Sequence, residues 1–348
     1  MSLYPIMTMC SAKYSHLIVR ADATPAIGAG HVMRCLAFIQ YWLDKGGSAA
    51  LVGRIELDWV LHKVRQVGVL FHPLSGNVPT SEDCTDILRQ LASGAGEAAP
   101  QQTLTVLDGY HFGSSCQKCI RSAGYGLLVI DDFNALGEYD ADVLLNQNVG
   151  AADHNYAGQI GIKLLGPRYV LLRQEFLTVK RQVARKEAGA RQHILLTLGG
   201  GDSSAKLSML EEIIRVCVAR GADFRVIRGE TPVAEWKKLF KAGWNSVSFV
   251  NPLDDMAEQL AWADFCISAA GSTCWELCAA KVPFAVLAIT ERQQALVDSL
   301  VSEKIAYDLD AATAAFRSGI RMQTLDGAER IEGDGVMRCW LACQSGVV

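Results

Sequence analysis

Short apolar runs recur along the chain, separated by turns with Gly or Asp and by stretches of helical periodicity. This alternation is typical of parallel sheets whose strands are buried on both faces and joined by helices. After Gly28 and Gly30, for example, Val32, Leu36 and Ile39 share one helix face. The apolar runs predict two series of strands, at 16–21, 49–52, 69–71, 104–107 and 127–130, and at 194–198, 224–227, 247–250, 265–267 and 284–289.

Helices are predicted between the strands of both series. After the first helix, the early part of the chain has two further helical stretches, at 59–67 and 87–91. The later part has five, and a terminal helix is predicted after residue 320. The later helices are predicted at 208–219, 236–241, 253–262, 274–280 and 293–301.

The stretch 177–192 (LTVKRQVARKEAGARQ) has five basic residues, one acidic residue and no strand signal, so it predicts a connector. A length of 348 residues also favours two domains of about 150 residues each. We therefore predict an α/β protein with two doubly wound domains facing a central cleft. The predicted divisions are 16–176, the connector 177–192, 193–320 and a terminal helical segment 321–348.

Composition excludes several classes of protein. The 33 basic and 37 acidic residues give a net charge of −4, which disfavours a nucleic-acid partner. The apolar runs fall short of the roughly 18 to 20 residues that span a bilayer, so membrane insertion is not expected. The first 15 residues lack the pattern of a secretory signal, and we expect a cytoplasmic protein.

The 11 cysteines are spread along the whole chain, which favours neither a disulfide framework nor a zinc site. Cys116 and Cys119 form a C-x-x-C pair without a second pair, and Cys274 and Cys278 lie one turn apart in a predicted helix. We interpret most of the cysteines as small buried apolar side chains.

The turn after the first strand carries the first candidate chemistry. Gly28 and Gly30 let the backbone approach a ligand closely, and His31 follows at the start of a helix. The positive helix terminus disfavours an imidazolium, which suits a general base. The alternative is a tight turn in which His31 merely packs. The spacing favours the functional interpretation.

Two further strand ends carry polar residues. Asp108, Tyr110 and His111 follow the fourth strand, and a sugar site and a structural cap are equally compatible with them. Asp131 and Asp132 close the next strand, but adjacent residues point in opposite directions, so we interpret this pair as a cap.

Two turns in the second half suit a phosphate group. The loop at 199–201 is all glycine, although it lacks the lysine of a P-loop. Gly271, Ser272 and Thr273 give a small-residue turn before a helix, and Glu276 follows one turn later, where a carboxylate can bind a ribose diol. A helix N-cap with a dipole-stabilised carboxylate explains the same residues. Spacing alone leaves this choice open.

Taken together, these turns resemble the UDP-sugar hydrolases of the pseudaminic-acid pathway, which have the GT-B fold. The resemblance extends over most of the chain. It is carried by RADATPAIGAGHVMRCL, VLDGYHF, LVIDDF, DVLLNQNV, KLLGPRYVLLRQEF, ILLTLGGGDSS and ISAAGSTCWELCAAKVPFAVL.

The resemblance implies that a UDP-linked diacetamido-trideoxyhexose is hydrolysed with inversion and without a metal or other cofactor. His31 would activate water for attack on the anomeric carbon. The C-terminal domain would hold UDP and the N-terminal domain the amino sugar. The implied sugar contacts are Arg20, Asp22, Gly30, Tyr110, Arg292 and Gln293, and the implied UDP contacts are Gly200, Gly201, Gly271, Ser272, Thr273 and Glu276.

One position departs from the family pattern. Where members usually have Glu-Asn-Gln, this chain has Glu291, Arg292 and Gln293. A guanidinium cannot reproduce the paired donor and acceptor of an amide. Arg292 could neutralise the diphosphate, or it could signal a different sugar or an acceptor other than water. A GT-B glycosyltransferase that uses a UDP-amino-sugar donor and a carbohydrate or lipid acceptor is the alternative function.

Overall fold

The computed structural model describes residues 12–74, 99–179, 191–200, 202–240, 245–251 and 255–345. The predicted helix at 87–91, most of the connector and Gly201 lie outside these residues. Within them, the strands form two parallel sheets with helices between successive strands. The α/β architecture predicted from the apolar runs is therefore confirmed.

The first sheet has seven strands, all parallel, in the order β3-β2-β1-β4-β5-β6-β7. The five strands predicted for this half are present. The two strands at one edge were missed, because β6 begins with polar residues and β7 is an edge strand that leaves most of its side chains partly exposed. The strands are β1 His16–Ala21, β2 Ser48–Gly53, β3 Leu70–Pro73, β4 Thr103–Asp108, β5 Gly126–Ile130, β6 Glu138–Asn146 and β7 Ala157–Leu165.

Helices of the first half pack against this sheet. The predicted apolar face after Gly30 is confirmed, because Val32, Leu36 and Ile39 are all buried in the core. A helix that carries the C-x-x-C pair was not predicted, and Cys116 is buried there while Cys119 is half-buried. The helices are α1 Gly30–Asp44, α2 Asp58–Val67, α3 Ser114–Ser122 and the short α4 Gln174–Leu177.

The second sheet has five parallel strands in the order β10-β9-β8-β11-β12, and each matches a predicted strand. Its strands are β8 His193–Thr197, β9 Asp223–Ile227, β10 Val247–Val250, β11 Phe265–Ala269 and β12 Phe284–Leu287. The helices packed on it are α5 Glu211–Ala219, α6 Val233–Phe240, α7 Met256–Trp262, α8 Thr273–Ala279, α9 Gln294–Ser302 and α10 Leu309–Ser318, of which α10 was not predicted.

Strand order reverses once in each sheet, between β1 and β4 and between β8 and β11. At such a point the loops leave neighbouring strands in opposite directions, and a crevice opens at the carboxyl ends of the strands. The four turns with the strongest candidate chemistry follow these same four strands. Sheet topology therefore places all of them where ligands of doubly wound proteins bind.

The last helix, α11 Gly335–Ser345, returns to the first half of the molecule. Val336, Cys339 and Cys343 join the apolar core beneath the first sheet. Gln344 adds two hydrogen bonds to the backbone of Tyr14, at 2.8 and 2.7 Å. The predicted terminal helix is present, and it ties the end of the second half to the first.

None of the helices in the described part of the chain combines the length and apolar composition needed to cross a bilayer. Eight of the nine described cysteines are buried, as expected for small apolar side chains. Within the same residues, no group of three or more His, Cys, Asp or Glu side chains is placed to hold a metal ion.

Candidate functional site

The turns of the two halves approach each other across one cleft. A Cβ atom at Gly30 would lie 3.6 Å from the hydroxyl oxygen of Ser272, and one at Gly200 would lie 3.4 Å from the ring of Trp59. These separations correspond to van der Waals contact, so larger side chains would narrow the space between the halves. Residues predicted on separate turns are thus brought to one site.

The first turn places His31 in the first turn of α1. Gly28 has the left-handed conformation, with φ of 81°, and its amide donates to the carbonyl of Thr24 at 2.7 Å. Only glycine adopts this conformation without strain, so the tight turn needs the residue found there. The side chain of Ala29 cannot cap the helix, and none of the described side chains replaces it.

His31 forms a hydrogen bond with a buried carboxylate. Its Nδ1 atom lies 2.6 Å from Oδ1 of Asp108, at the end of β4. A guanidinium nitrogen of Arg34 lies 3.2 Å from the same Nδ1 atom. Two acceptors at 2.6 Å would repel, so Nδ1 carries the proton and donates it to Asp108. In the neutral imidazole this tautomer leaves the lone pair on Nε2, and no described residue forms a hydrogen bond with Nε2.

Arg34 joins two carboxylates from neighbouring strands. It donates to both oxygens of Asp108 at 2.7 Å, and to the two oxygens of Asp132 at 2.6 and 2.9 Å. Burial alone favours the neutral form of each of these groups, but the paired charges outweigh it. The pKa values of Asp108 and Asp132 therefore lie below their ordinary values, and the pKa of Arg34 lies well above.

Tyr110 extends this cluster towards the other half. Its hydroxyl donates to Asp132 at 2.6 Å, and its ring lies edge-on to His31 with 5.0 Å between ring centroids. Burial, together with the charge of Asp132, raises the pKa of Tyr110 far above its ordinary value. The phenol therefore keeps its proton on the Asp132 side and offers an oxygen lone pair to a ligand.

The interpretation of Asp131 and Asp132 as a cap was right for only one of them. Asp131 caps the turn by accepting hydrogen bonds from the amides of Asn134 and Ala135 at 2.6 and 2.9 Å. Asp132 points the other way, into the cluster, and accepts a further hydrogen bond from Asn148 at 2.9 Å. The opposite orientation of adjacent side chains was predicted correctly, and it separates a structural carboxylate from one at the candidate site.

Arg20 and Asp22 form an ion pair with each other at the same edge, and both are buried. A guanidinium nitrogen of Arg20 donates to Asp22 at 2.9 Å, and Asp22 also accepts from the amide of Arg54 at 2.7 Å. The guanidinium carbon of Arg20 lies 5.1 Å from the ring centroid of Phe112. These contacts hold the turn after β1 in place, and contact with a substrate stays a prediction.

In the second half, the turn before α8 keeps its hydroxyl groups free of capping bonds. Ser272 occupies the N-cap position, but its side chain makes no cap hydrogen bond, and Thr273 has no hydrogen-bond partner among the described residues. A Cβ atom at Gly271 would meet open space. The side-chain cap that explains these residues without a ligand is therefore not formed.

Glu276 is held by a residue that the sequence did not indicate. Arg173, directly before α4, donates to Glu276 at 3.4 Å and to Glu175 at 2.6 Å. Burial raises the pKa of Glu276 above its ordinary value, although the charge of Arg173 opposes that effect. Arg173 thus supports a carboxylate that burial would otherwise favour in its neutral form.

The turn after β12 contributes Arg292 and Gln293. The guanidinium carbon of Arg292 lies 5.9 Å from the ring centroid of Tyr110, across the cleft. No carboxylate pairs with Arg292 among the described residues. Gln293 forms a capping box with Thr290, and its side-chain oxygen accepts from the amide of Ile289 at 2.8 Å. Gln293 therefore has a structural role, and its contact with a substrate stays a prediction.

Sequence reasoning missed Arg34, Asn148 and Arg173, assigned Asp132 to a cap and left the role of Asp108 open. The signal for Arg34 was available, because residues three apart on a helix share a face and His31 lies three positions before it. Its carboxylate partners follow β4 and β5, which are neighbours only once the strand order is known. The missed contacts are thus set by topology.

Comparison with known protein families finds no family model that matches this chain. An uncharacterized protein of Methanocaldococcus jannaschii is 23% identical over 299 residues, which cover 82% of this chain. The chain spans 58% of the length of that curated relative. This similarity assigns no function.

Solved structures decide the fold. MurG of Acinetobacter baumannii aligns over 94% of this chain and 98% of its own, with a TM-score of 0.61 and 14% identity. The chain has the GT-B fold. The calicheamicin glycosyltransferase CalG4 aligns over 95% of this chain and 99% of its own, with a TM-score of 0.59 and 13% identity. Staphylococcus aureus MnaA, solved with UDP, aligns over 94% and 97%, with a TM-score of 0.53 and 10% identity. The candidate site described above lies in the cleft between the two sheets of this fold.

Proposed function

We propose that this GT-B protein hydrolyses a UDP-linked diacetamido-trideoxyhexose to UDP and the free sugar, in nonulosonic (pseudaminic) acid biosynthesis. The observation that carries the proposal is the pair of His31 and Asp108, beside Gly30, whose position lies close to the hydroxyl of Ser272 across the cleft. The sequence motifs that resemble the hydrolases supply the substrate class. The cytoplasm stays the expected location.

In the proposed reaction, Nε2 of His31 takes a proton from water as the water oxygen attacks the anomeric carbon. The bond between that carbon and the diphosphate oxygen breaks, and UDP leaves with the electron pair. Attack from the side opposite the leaving group inverts the configuration. Asp108 fixes the Nδ1–H tautomer and stabilises the imidazolium that forms, which is the role of a carboxylate behind a catalytic imidazole.

The second half would hold UDP. Unbonded hydroxyl groups at Ser272 and Thr273 can donate to phosphate oxygens, and Glu276 can accept two hydrogen bonds from a ribose diol. The glycine loop at 199–201 would let the backbone approach the phosphates. On the sugar side, Tyr110 offers an acceptor, which suits a hydroxyl or an amide N–H of an acetamido group. Arg20, Asp22, Gly30, Arg292 and Gln293 are the remaining proposed contacts.

The deciding experiment incubates the protein with a panel of UDP-amino sugars and no acceptor. Release of UDP and inverted free sugar is expected from the diacetamido-trideoxyhexose donor. His31→Ala should lower turnover by about 10²- to 10⁴-fold, as loss of a general base does, while UDP binding survives. His62→Ala, an exposed histidine on α2, is the matched control and should keep full turnover.

A glycosyltransferase is the second candidate, favoured by the GT-B fold shared with MurG and CalG4 and by Arg292 in place of the family's Asn. Turnover that needs an added carbohydrate or lipid acceptor would select it over hydrolysis. Unchanged turnover in His31→Ala would contradict the role of His31 under either reaction. Nucleotide-sugar binding without turnover in any mixture would leave a binding protein.

A further inference from the structure

We propose that Arg34 is a positioning residue of this site, one that fixes both the tautomer of His31 and the orientation of the Tyr110 hydroxyl through two carboxylates. The inference rests on the proposed function for its kinetic readout. Arg34 is itself buried, with 6% of the residue exposed, so it has little surface to offer a substrate. Its effect must therefore pass through its neighbours.

The geometry of the pairing requires a guanidinium. The Nε and Nη2 atoms of Arg34 donate to Asp108, while Nη1 and Nη2 donate to Asp132. Four of the five N–H groups of one planar cation are thus used, in two pairs of hydrogen bonds (forks) on adjacent edges of the guanidinium that share Nη2. Lysine carries the same charge on one nitrogen and cannot form two forks.

Each carboxylate, held in place by Arg34, fixes the proton position of one group that faces the cleft. Asp108 accepts the Nδ1 proton of His31 at 2.6 Å, and Asp132 accepts the hydroxyl proton of Tyr110 at 2.6 Å. Both of the remaining lone pairs, on Nε2 and on the phenol oxygen, are then acceptors. A water or substrate hydroxyl held between them must donate. Arg34 therefore determines that both Nε2 of His31 and the hydroxyl oxygen of Tyr110 accept hydrogen bonds from a ligand.

Charge makes the arrangement depend on Arg34. Asp108 and Asp132 lie in a buried cluster, and without a cation between them two negative charges would face each other in a region of low dielectric constant. One carboxylate would then bind a proton. A protonated Asp108 could donate to Nδ1 and move the imidazole proton to Nε2, which removes the lone pair needed for a base. The titratable and charged groups around Asp108, at the end of β4, and Asp132, after β5, are His31, Arg34 and Cys35 on α1, Tyr110 after β4, Tyr156 before β7, and Arg292 across the cleft.

The same sheet contains a matched control. Arg121, on α3, also bridges two carboxylates, Asp140 and Asp142. Both belong to β6, where they lie towards the amino end of the strand, away from the cleft. Arg121 therefore reports what loss of a two-carboxylate arginine does to folding alone.

The experiment compares Arg34→Met, Arg34→Lys and Arg121→Met by kcat and KM against pH, by the Kd of UDP and by Tm. Arg34→Met should lower kcat on the order of 10²-fold, the lower end of the range for a lost general base, and leave the Kd of UDP unchanged. Because the pKa of Asp108 rises when its cation is removed, activity should be lost at a higher pH on the acid side than in the wild type.

Arg34→Lys should return the acid limb of the pH profile towards its wild-type position but recover only part of kcat, because it restores the charge without the forks. Arg121→Met should lower Tm without moving the pH profile. A pH profile of Arg34→Met that superimposes on the wild type, or an equal shift in Arg121→Met, would overturn the proposal. If Arg34→Met does not fold, Arg34→Lys against the wild type decides it by the loss of kcat without a change in UDP affinity.

A second readout separates this inference from the proposed reaction. The ¹⁵N chemical shifts of His31, followed as the pH is lowered from alkaline to acidic, report which ring nitrogen carries the proton. The wild type should show the Nδ1–H tautomer, Arg34→Met should lose it at a higher pH than the wild type, and Arg121→Met should follow the wild type. If the wild type turns over no UDP-sugar, the proposed function fails, but the shifts still decide the role of Arg34. An unchanged tautomer in Arg34→Met would reject that role.

Discussion

The two sides of the cleft differ in how their polar groups are used. On the first side, Arg34 and Asp132 join His31, Asp108 and Tyr110 in one network, in which the Nδ1 proton of His31 and the hydroxyl proton of Tyr110 already have acceptors. On the second side, the hydroxyl groups of Ser272 and Thr273 have no capping role and no hydrogen-bond partner among the described residues. The first side is organised before a ligand arrives, whereas the second has groups left to bind one.

This difference follows from what each side is proposed to do. A base works best when its tautomer and orientation are fixed in advance, because nothing has to reorganise during the reaction. A seat for a diphosphate needs donors that are not already bonded within the protein. Both sides lie at the reversal of strand order in a parallel sheet, so the contrast comes from the residues in the turns and not from the fold.

The largest effect on kcat should come from Asp108→Asn, which disrupts the hydrogen-bond network on the first side of the cleft. An amide turns one acceptor into a donor that faces Arg34 and His31, so the Nδ1–H tautomer loses its partner. We expect kcat to fall by about 10²- to 10⁴-fold, with little change in the Kd of UDP. The measurement is single-turnover release of UDP, with calorimetric UDP binding alongside.

Asp131→Asn is the matched control, since Asp131 lies at the same sheet edge but binds the amides of Asn134 and Ala135 and the hydroxyl of Tyr139 instead of His31 and Arg34. It should lower Tm and leave kcat unchanged.

Acid unfolding gives a further check on Asp108. The pKa of Asp108 is depressed in the folded protein, so its stabilising contribution is present above the ordinary carboxyl pKa and is lost as pH falls. Asp108→Asn should weaken this acid dependence, and equal losses of kcat in both variants would contradict the contrast.

The sequence predicted the parts of the fold that have a strong local signal. All ten predicted strands are present. Most of them are buried on both faces and are therefore continuous apolar runs, and the short edge strands β3 and β10 also carry apolar residues although they are largely exposed or half-buried. β6 and β7 lack such a run, since polar residues such as Glu138 and Asp142 interrupt one and the other lies at an exposed edge. Strand order itself has no local signal, so it could not be predicted.

The same limit applies to the candidate site. Gly30 and His31 were identified because a glycine turn before a helix is visible within a few residues. Asp132 was assigned to a cap because its partners, Arg34 and Asn148, are distant in sequence and meet it only when β4, β5 and β6 lie side by side. Local pattern therefore predicts where a site lies, and topology determines which side chains support it.

On the second side of the cleft, a smaller effect, on UDP affinity, is expected from Glu276→Gln. A neutral amide keeps the shape of the side chain but loses one acceptor for the ribose diol, which should weaken UDP binding about tenfold, within the range for hydrogen bonds to charged groups. Burial raises the pKa of Glu276, so wild-type UDP affinity should decline as pH falls, sooner than it would with an ordinary glutamate. The variant should lose this pH dependence.

Glu175→Gln provides the control, because Glu175 pairs with the same Arg173 but lies outside the proposed ribose contact. Titration calorimetry of UDP across pH compares the two variants. Equal affinity in Glu276→Gln and the wild type would remove Glu276 from the UDP site. An equal loss of UDP affinity in Glu175→Gln would show that both variants act by releasing Arg173, and not by removing a contact with the ribose.

Arg292→Asn should have the smallest effect and the most specific consequence, because it introduces the amide that is usual in the hydrolase family whose motifs this sequence resembles. Arg292 reaches across the cleft to the ring of Tyr110, a contact that contributes about 0.5 to 1 kcal/mol when exposed. Since this contact joins the two sides of the cleft around the proposed ligand, its loss should lower the affinity for a UDP-sugar by at most about 2- to 5-fold. If the guanidinium neutralises the diphosphate, UDP alone should weaken equally, and the loss should shrink at high salt.

If Arg292 instead selects the sugar, UDP affinity should stay constant while the order of preference among UDP-amino sugars changes. Arg330→Asn, which breaks an exposed ion pair with Glu303, is the control for loss of a cation from the second half. Identical affinities and preferences in Arg292→Asn and the wild type would show that the departure from the family pattern has no effect on the ligand. The substitution thus decides whether the second side of the cleft recognises only the nucleotide or also the sugar on which the first side is proposed to act.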